Sequence, residues 1–423
     1  MKKLLLVFEI LMVGVILVVF SMGLSGNALA ASKIEITFWN GVGAPENVVL
    51  TELISKFNET NEYGIHVNEE IMDWSTLYTK LLLDYRVGAA PDVLTMQQSA
   101  LTQQASFGVL ADIGKLAEEV GFKKEDFVET AWEGTQLNGT RYAIPLDMHP
   151  LALYYNTKLF RDAGLDPDNP PKDGEEFLSC AQKLTKDDRY GFGLAYSGGI
   201  PFRIWMSLVW QHKDGKILTD DLKRAAFDNQ IGIESLQFLQ DLVYKYEVVP
   251  KEEASPDDDF VKEIVAMDIT GPWAMYDFNK YESLEYGTTP LPVIYDQPAT
   301  WGDSHVLVLT ATDNVQKMEA GMKLIKFLSD ESLIWTQKAG HLPVRKEVLE
   351  SEEFKNLKLS KAFAESLPFT HYYPPIVKRE EVFGREATSP LVVMIESVML
   401  NRETPENAIR KAADTINQIL AEE

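Results

Sequence analysis

The sequence predicts an α/β protein of more than one domain, and three observations carry that prediction. Strand-like and helix-like segments alternate along the chain, the 45% apolar content is that of a globular protein, and 423 residues exceed what one compact domain holds. Length alone suggests about two to three domains.

The elements follow in order. Lys33–Trp39 alternates apolar and polar residues and is rich in β-branched and aromatic types, so it predicts a strand. After a Gly-containing turn, Pro45 is placed to open a helix whose apolar stripe is Val49, Leu50, Leu53, Ile54 and Phe57. Ile65–Ile71 predicts a second strand. Trp74, Leu77, Tyr78, Leu81, Leu82 and Tyr85 mark a second helix, and Val93–Met96 a short apolar strand. This order predicts a parallel sheet with helices on its faces. Asn138-Gly139 between two extended runs signals a hairpin that feeds 141–145 and an apolar stretch ending at Asn156. A Pro/Asp/Gly-rich loop spans 164–174, before helices marked by Phe177, Leu178 and Leu184 and by Leu236, Leu239, Leu242, Val243 and Tyr246. Val306–Thr310 is nearly all apolar, the pattern of a strand buried on both faces. Met318, Met322, Ile325 and Leu328 mark another helix. The last helix takes Thr404 as N-cap and Pro405 at N1, and buries Ile409, Ala412, Ile416 and Leu420. The acidic run Asp257–Asp259 precedes an apolar segment, which favours a role at a helix start over a calcium loop.

Residues 1–30 stand apart. Lys2 and Lys3, an apolar run from Leu4 to Phe20 broken only by Glu9, and Ala28-Leu29-Ala30 have the form of a secretory signal peptide. The competing reading is a retained membrane anchor. No cysteine follows the run, so no lipid-anchored N-terminus is expected. The predicted product is exported, periplasmic or extracellular, and soluble after cleavage.

Acidic residues number 64 against 40 basic ones, a formal charge of −24. Losing Lys2, Lys3 and Glu9 removes +1, leaving −25. Such a chain is a poor partner for nucleic acid, whose affinity comes from Lys/Arg contacts to phosphate. The single cysteine, Cys180, excludes an internal disulfide and cysteine-rich zinc sites. Catalytic signatures such as G-x-S-x-G, H-E-x-x-H or a P-loop do not occur. Gly41-x-Gly43 resembles the start of a dinucleotide loop, but Glu46 at the third glycine position would repel a pyrophosphate. The six histidines (66, 149, 212, 305, 341, 371) lack i, i+4 pairing, so no metal site and no cofactor are predicted.

Several segments then occur in one order: Trp39-Asn40; Pro91-Asp92-Val93; the run 138–145; Leu153–Phe160; Ala163-Gly164-Leu165; Ala266–Ala274, containing Gly271-Pro272-Trp273; Gly340–Arg345; and Thr404–Ala408. Together they resemble the extracellular solute-binding proteins of sugar-importing ABC transporters, the family 1 type that includes maltose-binding proteins. The resemblance spans about Ile34 to Leu420. It implies a two-lobed periplasmic-binding-protein-like fold (type II), with a hinge and a ligand cleft between the lobes. Crossings are implied near 145–152, 301–306 and 339–343, giving lobes of 32–146 plus 305–339 and of 147–304 plus 340–423. It implies no catalysis, a carbohydrate ligand, a membrane permease as partner and a monomer.

A sugar offers hydroxyl pairs and apolar C–H faces, which carboxylates, amides and aromatic rings recognise. The candidate ligand residues are therefore Trp39, Asn40, Gln97, Ser99, Asp147, Trp205, Trp273, Trp301 and Asp303. Trp273 matches a stacking position of the family, Trp39 ends a strand at the cleft edge, and Trp301 with Asp303 lies at the second crossing. Trp74, Trp132 and Trp335 fall within helical patterns and are expected in core or surface, while Trp210 fits either. Maltose-binding proteins carry a Trp and an Asp in the loop where Met96 and Ser99 stand, which argues against maltose. No Arg/Lys cluster marks the expected cleft, which counts against phosphate or sulfate. The competing functions are the same scaffold binding a polyamine, a secreted glycoside hydrolase, whose two carboxylates would be lost among 64 acids, and a surface adhesin.

Overall fold

The computed structural model describes residues 33–43, 46–251 and 255–422. The expected signal peptide, residues 1–30, and Pro45 lie outside them. Fourteen strands follow in chain order: β1 (Ile34–Asn40), β2 (Ile65–Ile71), β3 (Val93–Gln97), β4 (Gln136–Leu137), β5 (Thr140–Arg141), β6 (Ala143–Pro145), β7 (Asp147–Pro150), β8 (Ala152–Asn156), β9 (Met267–Thr270), β10 (Tyr286–Thr289), β11 (Thr300–Asp303), β12 (His305–Leu309), β13 (Leu342–Pro343) and β14 (Thr370–His371).

Their pairing makes three principal sheets. A five-stranded sheet has the order β2-β1-β3-β12-β6. β1 runs parallel to β2 and β3, as the βαβ pattern predicts. β12 returns from more than 200 residues downstream and pairs antiparallel with both neighbours, Val306 opposite Met96 and Pro145. Every residue of β12 is buried, which is why it reads as a continuous apolar run. A second, antiparallel sheet has the order β10-β8-β9. Between them lies β13-β7-β11-β14, built where the chain passes through 147–150, 300–303 and 342–343. β4 and β5 form the small hairpin; Asn138 and Gly139 both have positive φ, 51° and 83°, as a type I′ turn requires.

Helices cover the sheets with the faces their spacing predicts. The helix Asn47–Thr60 buries Val49, Leu50, Leu53, Ile54 and Phe57 against the five-stranded sheet. On the sheet's other face the helix Trp74–Val87 buries Leu77, Tyr78 and Leu81. Asp73 caps it, accepting from the Thr76 amide at 2.9 Å, a bond that contributes about 1 kcal/mol. A third and largest cluster surrounds the helix Gly199–Gln211, which is apolar nearly all round, and the helices Gln230–Tyr244, Pro390–Met399 and Pro405–Ala421. The last begins at Thr404, whose side chain accepts from the Asn407 amide, with Pro405 in its first turn. Asp257–Asp259 occupy the first turn of the helix Pro256–Val261, where acids complement the helix dipole. Cys180 is buried on the helix Gly174–Leu184. Among the described residues no helix is long and apolar enough to cross a membrane.

Candidate functional site

The sheets leave a cavity of about 410 Å³ at the end of β3, β7, β11 and β12. This is the size of a small-molecule pocket, about 300–1,000 Å³. Its walls are aromatic and charged. Trp74, Trp273 and Trp301 supply flat apolar surface, and Gln97, His149 and His305 supply polar groups. Two glycines make the ring positions possible. A Cβ on Gly41 would stand 2.4 Å from the Trp74 ring, and one on Gly271 would stand 2.0 Å from the Trp273 ring, far inside van der Waals contact.

Trp74 lies on the cleft wall although its helical spacing suggested core or surface. It stacks on His305 with ring centroids 5.6 Å apart and planes 17° from parallel. The His149 ring stands edge-on to Trp273 at 5.7 Å.

Behind this wall three histidines converge on one carboxylate, a grouping that residue spacing did not reveal. Asp147 is fully buried. Its Oδ1 accepts from the His305 amide at 2.9 Å and lies 3.1 Å from His149 Nδ1. Its Oδ2 accepts from Trp335 Nε1 at 2.8 Å and lies 2.8 Å from His305 Nδ1 and 3.4 Å from His341 Nδ1. His341 Nε2 lies 3.1 Å from Glu46. Burial alone would raise the Asp147 pKa, but His305 and His341 outweigh it and hold the carboxyl well below its ordinary range. Burial, reinforced by the charge of His305, pushes His149 down to about 4. His341 is raised, the charges of Asp147 and Glu46 overcoming its burial.

Asp147, His149, His305 and His341 each place a potential metal ligand within 4.8 Å of the others. The Asp147 oxygens, however, already face the His305 amide, Trp335 Nε1 and two imidazole Nδ1 atoms. The arrangement is a hydrogen-bond hub: with Nδ1–H directed at Asp147, Nε2 is the remaining acceptor of the neutral His149.

The other expected site residues divide. Gln97, Trp273 and Trp301 line the cavity. Asp303 is fully buried behind it, accepting from the Ser99 hydroxyl at 2.6 Å and the Ser99 and Ser304 amides. Ser99 and Gln97 also accept from Arg379 Nη2, at 3.0 and 3.2 Å, which ties β3 to the C-terminal segment. Asn40 is buried at the end of β1, where it bonds Glu69 and the Val42 amide. Trp39 and Trp205 stand in the core rather than on the wall. Trp39 packs with Leu77 and Val308 and carries Lys80 over its ring at 3.9 Å; Trp205 packs edge-on against Phe227 and donates to the Gly232 carbonyl. Trp132 and Trp335 are core, and Trp210 stacks on His371.

The expectation of a cleft without basic residues is overturned. Arg203, Arg379 and Arg385 all line the cavity, with Glu46, Asp73, Glu380 and Glu386. They come from the helix Gly199–Gln211 and from a segment over 170 residues later, so no run of basic residues announces them.

Compared with known proteins, the chain is similar to the sn-glycerol-3-phosphate-binding periplasmic protein UgpB of Escherichia coli K12, 23% identical over 429 residues, covering 94% of this chain and 95% of that one. A binding protein of Brucella abortus is 25% identical over 380 residues, covering 87% and 89%. Among solved structures, an ABC transporter solute-binding protein of Thermotoga lettingae bound to α-D-tagatose superposes with a TM-score of 0.80 at 27% identity, covering 92% of this chain and all of that one. The GacH receptor of Streptomyces glaucescens, solved with acarbose, shares the fold with a TM-score of 0.81 at 21% identity, covering 92% and 98%. These likenesses show the two-lobed periplasmic-binding-protein fold expected from the sequence. Residues 52–362 match the family described as bacterial extracellular solute-binding proteins, and to that family this chain belongs.

Proposed function

We propose that this protein is the extracytoplasmic binding component of an ABC importer, and that it captures a carbohydrate and hands it to a membrane permease without chemical change. The observation that carries the reading is the wall of the cavity: three tryptophans stand with one amide, two imidazoles and charged groups, the chemistry a ring with apolar C–H faces and hydroxyl edges requires. The tagatose and acarbose complexes of the structural neighbours support it. Trp273 and Trp301 stack or bracket the ring, Gln97 and His149 bond hydroxyls, and Asp147, Ser99 and Asp303 act from behind by fixing those groups.

The lobes are 32–146 plus 305–339 and 147–304 plus 340–423. Membership of β12 in the five-stranded sheet supports that division. Ligand bound to both walls favours the closed form over the open one, and the difference in affinity drives hinge closure. The chain acts as an exported monomer once residues 1–30 are removed.

Native mass spectrometry of the purified protein and calorimetry against a panel of mono- and oligosaccharides test the reading. A bound saccharide that is recovered intact after incubation supports it. Binding of another solute class with no saccharide, or hydrolysis of the saccharide, refutes it.

A further inference from the structure

The three buried arginines of the described residues are not alike. Arg345 pairs with Asp330 and Glu347, and Arg379 pairs with Glu380. Arg203 is 3% exposed and, among the described residues, has no carboxylate partner. Its guanidinium lies over the Trp301 ring at 4.0 Å, its Nε donates to the Tyr373 hydroxyl at 2.8 Å, and its Nη2 is buried with no hydrogen-bond partner. An uncompensated buried charge costs several kcal/mol, so the fold is left poised for a counter-charge at the cleft wall.

The surroundings add to the demand. Arg379 Nε is likewise buried without a partner. A Cβ on Gly199 would stand 2.7 Å from Arg385 Cδ and 3.5 Å from Arg203 Cζ, so the glycine lets these two cations approach. Burial and the nearby charge of Arg203 lower the Arg385 pKa, which places the two within electrostatic reach. Three acids of the cleft have partners of their own: Glu380 holds Arg379, Glu46 faces His341, and Asp73 caps a helix, while the fourth, Glu386, is exposed to solvent.

We infer that the ligand is a sugar acid, and that Arg203 is the specificity residue that receives its carboxylate. The inference rests on the carbohydrate reading and narrows it. A guanidinium fork matches a planar carboxylate through two parallel bonds. Arg385 reaches solvent, so among the described residues Arg203 is the one buried arginine without a carboxylate partner, which suits a monoanion. A phosphate ester would bring a second negative charge beside Glu380 and Glu386, and a polyamine would meet Arg203 with like charge. Trp301 screens one face of the guanidinium from water, which strengthens the pair.

Calorimetry on the folded chain lacking residues 1–30 tests this with named probes: D-glucuronate and D-galacturonate, their neutral parents D-glucose and D-galactose, the isosteric amide D-glucuronamide, and D-glucose 6-phosphate. The expected result is at least about a 30-fold preference for a uronate over its neutral parent, in line with the cost of leaving one buried charge unpaired. The amide should bind like the parent sugar. Arg203→Gln should erase the preference and Arg203→Lys should restore part of it. The amide comparison stands without either variant, should they fail to fold. A neutral sugar bound as tightly as its acid, a preference that survives in folded Arg203→Gln, or binding of the phosphate ester alone would each overturn this inference while leaving the carbohydrate reading intact. Binding of none of these probes would overturn this inference, and failure of the whole mono- and oligosaccharide panel as well, with another solute class bound, would overturn both.

Discussion

Replacing Asp147 by asparagine keeps the volume of the side chain and removes its charge. In the native hub one oxygen accepts from Trp335 and faces His305 and His341, while the other accepts from the His305 amide and faces His149. An asparagine can place its carbonyl at only one of these positions. Its NH₂ then opposes either the His305 amide or the Trp335 indole, donor against donor. His341, whose pKa is raised by the charges of Asp147 and Glu46, also loses one of them. Breaking a buried pair of this kind costs about 3–5 kcal/mol, and for a chain of this size that is a fall in melting temperature of about 4–6 °C. Thermal unfolding followed by circular dichroism at pH 7 reads the difference. A variant that melts within a degree of the parent would show that the carboxylate is not the centre of the hub, and the assignment of His149 as an oriented acceptor would fall with it.

Other outcomes follow from the same geometry. Trp273→Ala should weaken saccharide binding by about 10- to 30-fold, from about 60–80 Å² of lost apolar contact at about 25 cal/mol per Å², with the far-ultraviolet spectrum unchanged; unchanged affinity would remove Trp273 from the site. Gly41→Ala should drive the Trp74 ring off the wall and lower affinity at least as much, an effect calorimetry will miss if the ring has another role. Phe57→Ala should cost about 3–5 kcal/mol in denaturant unfolding with ligand contacts untouched, because Phe57 is buried on a packed helix face; a loss under about 1 kcal/mol would contradict its placement. His149 is depressed to about 4 in the fold, so the unfolded chain takes up its proton first and stability falls as pH drops from about 6.5 to about 4, by at most about 3 kcal/mol. His341 acts with the opposite sign: its raised pKa gives stability that is complete below about 6.5 and is lost as pH rises through the folded value. Urea melts of His149→Gln should therefore lose the acid limb and keep the alkaline one.

Much of the fold was legible because periodicity reports on single elements. The helix Asn47–Thr60 buries the five residues its spacing marks, the Asn138-Gly139 turn adopts the backbone its composition demands, and Thr404-Pro405 starts the last helix. The cleft was less legible because it is assembled across elements. Arg203 meets Arg379 and Arg385 only after the chain has crossed between sheets, and no local pattern records which face of the helix Gly199–Gln211 turns to the cavity. His149, His305 and His341 each stand alone in sequence and share one carboxylate in space. Trp39 and Trp74 exchanged their expected places for a related reason. Trp39 packs on the sheet face covered by the helix Trp74–Val87, while Trp74, at the start of that helix, lines the cavity and stacks on His305.

The burial of the only thiol has a practical reach. Cys180 sits inside a helix face with its pKa raised by burial, which slows its reaction with alkylating labels. A cysteine introduced at an exposed position on either rim of the cleft would then carry a fluorophore almost alone. Paired labels of that kind would report optically whether the distance between the rims changes when a ligand is added.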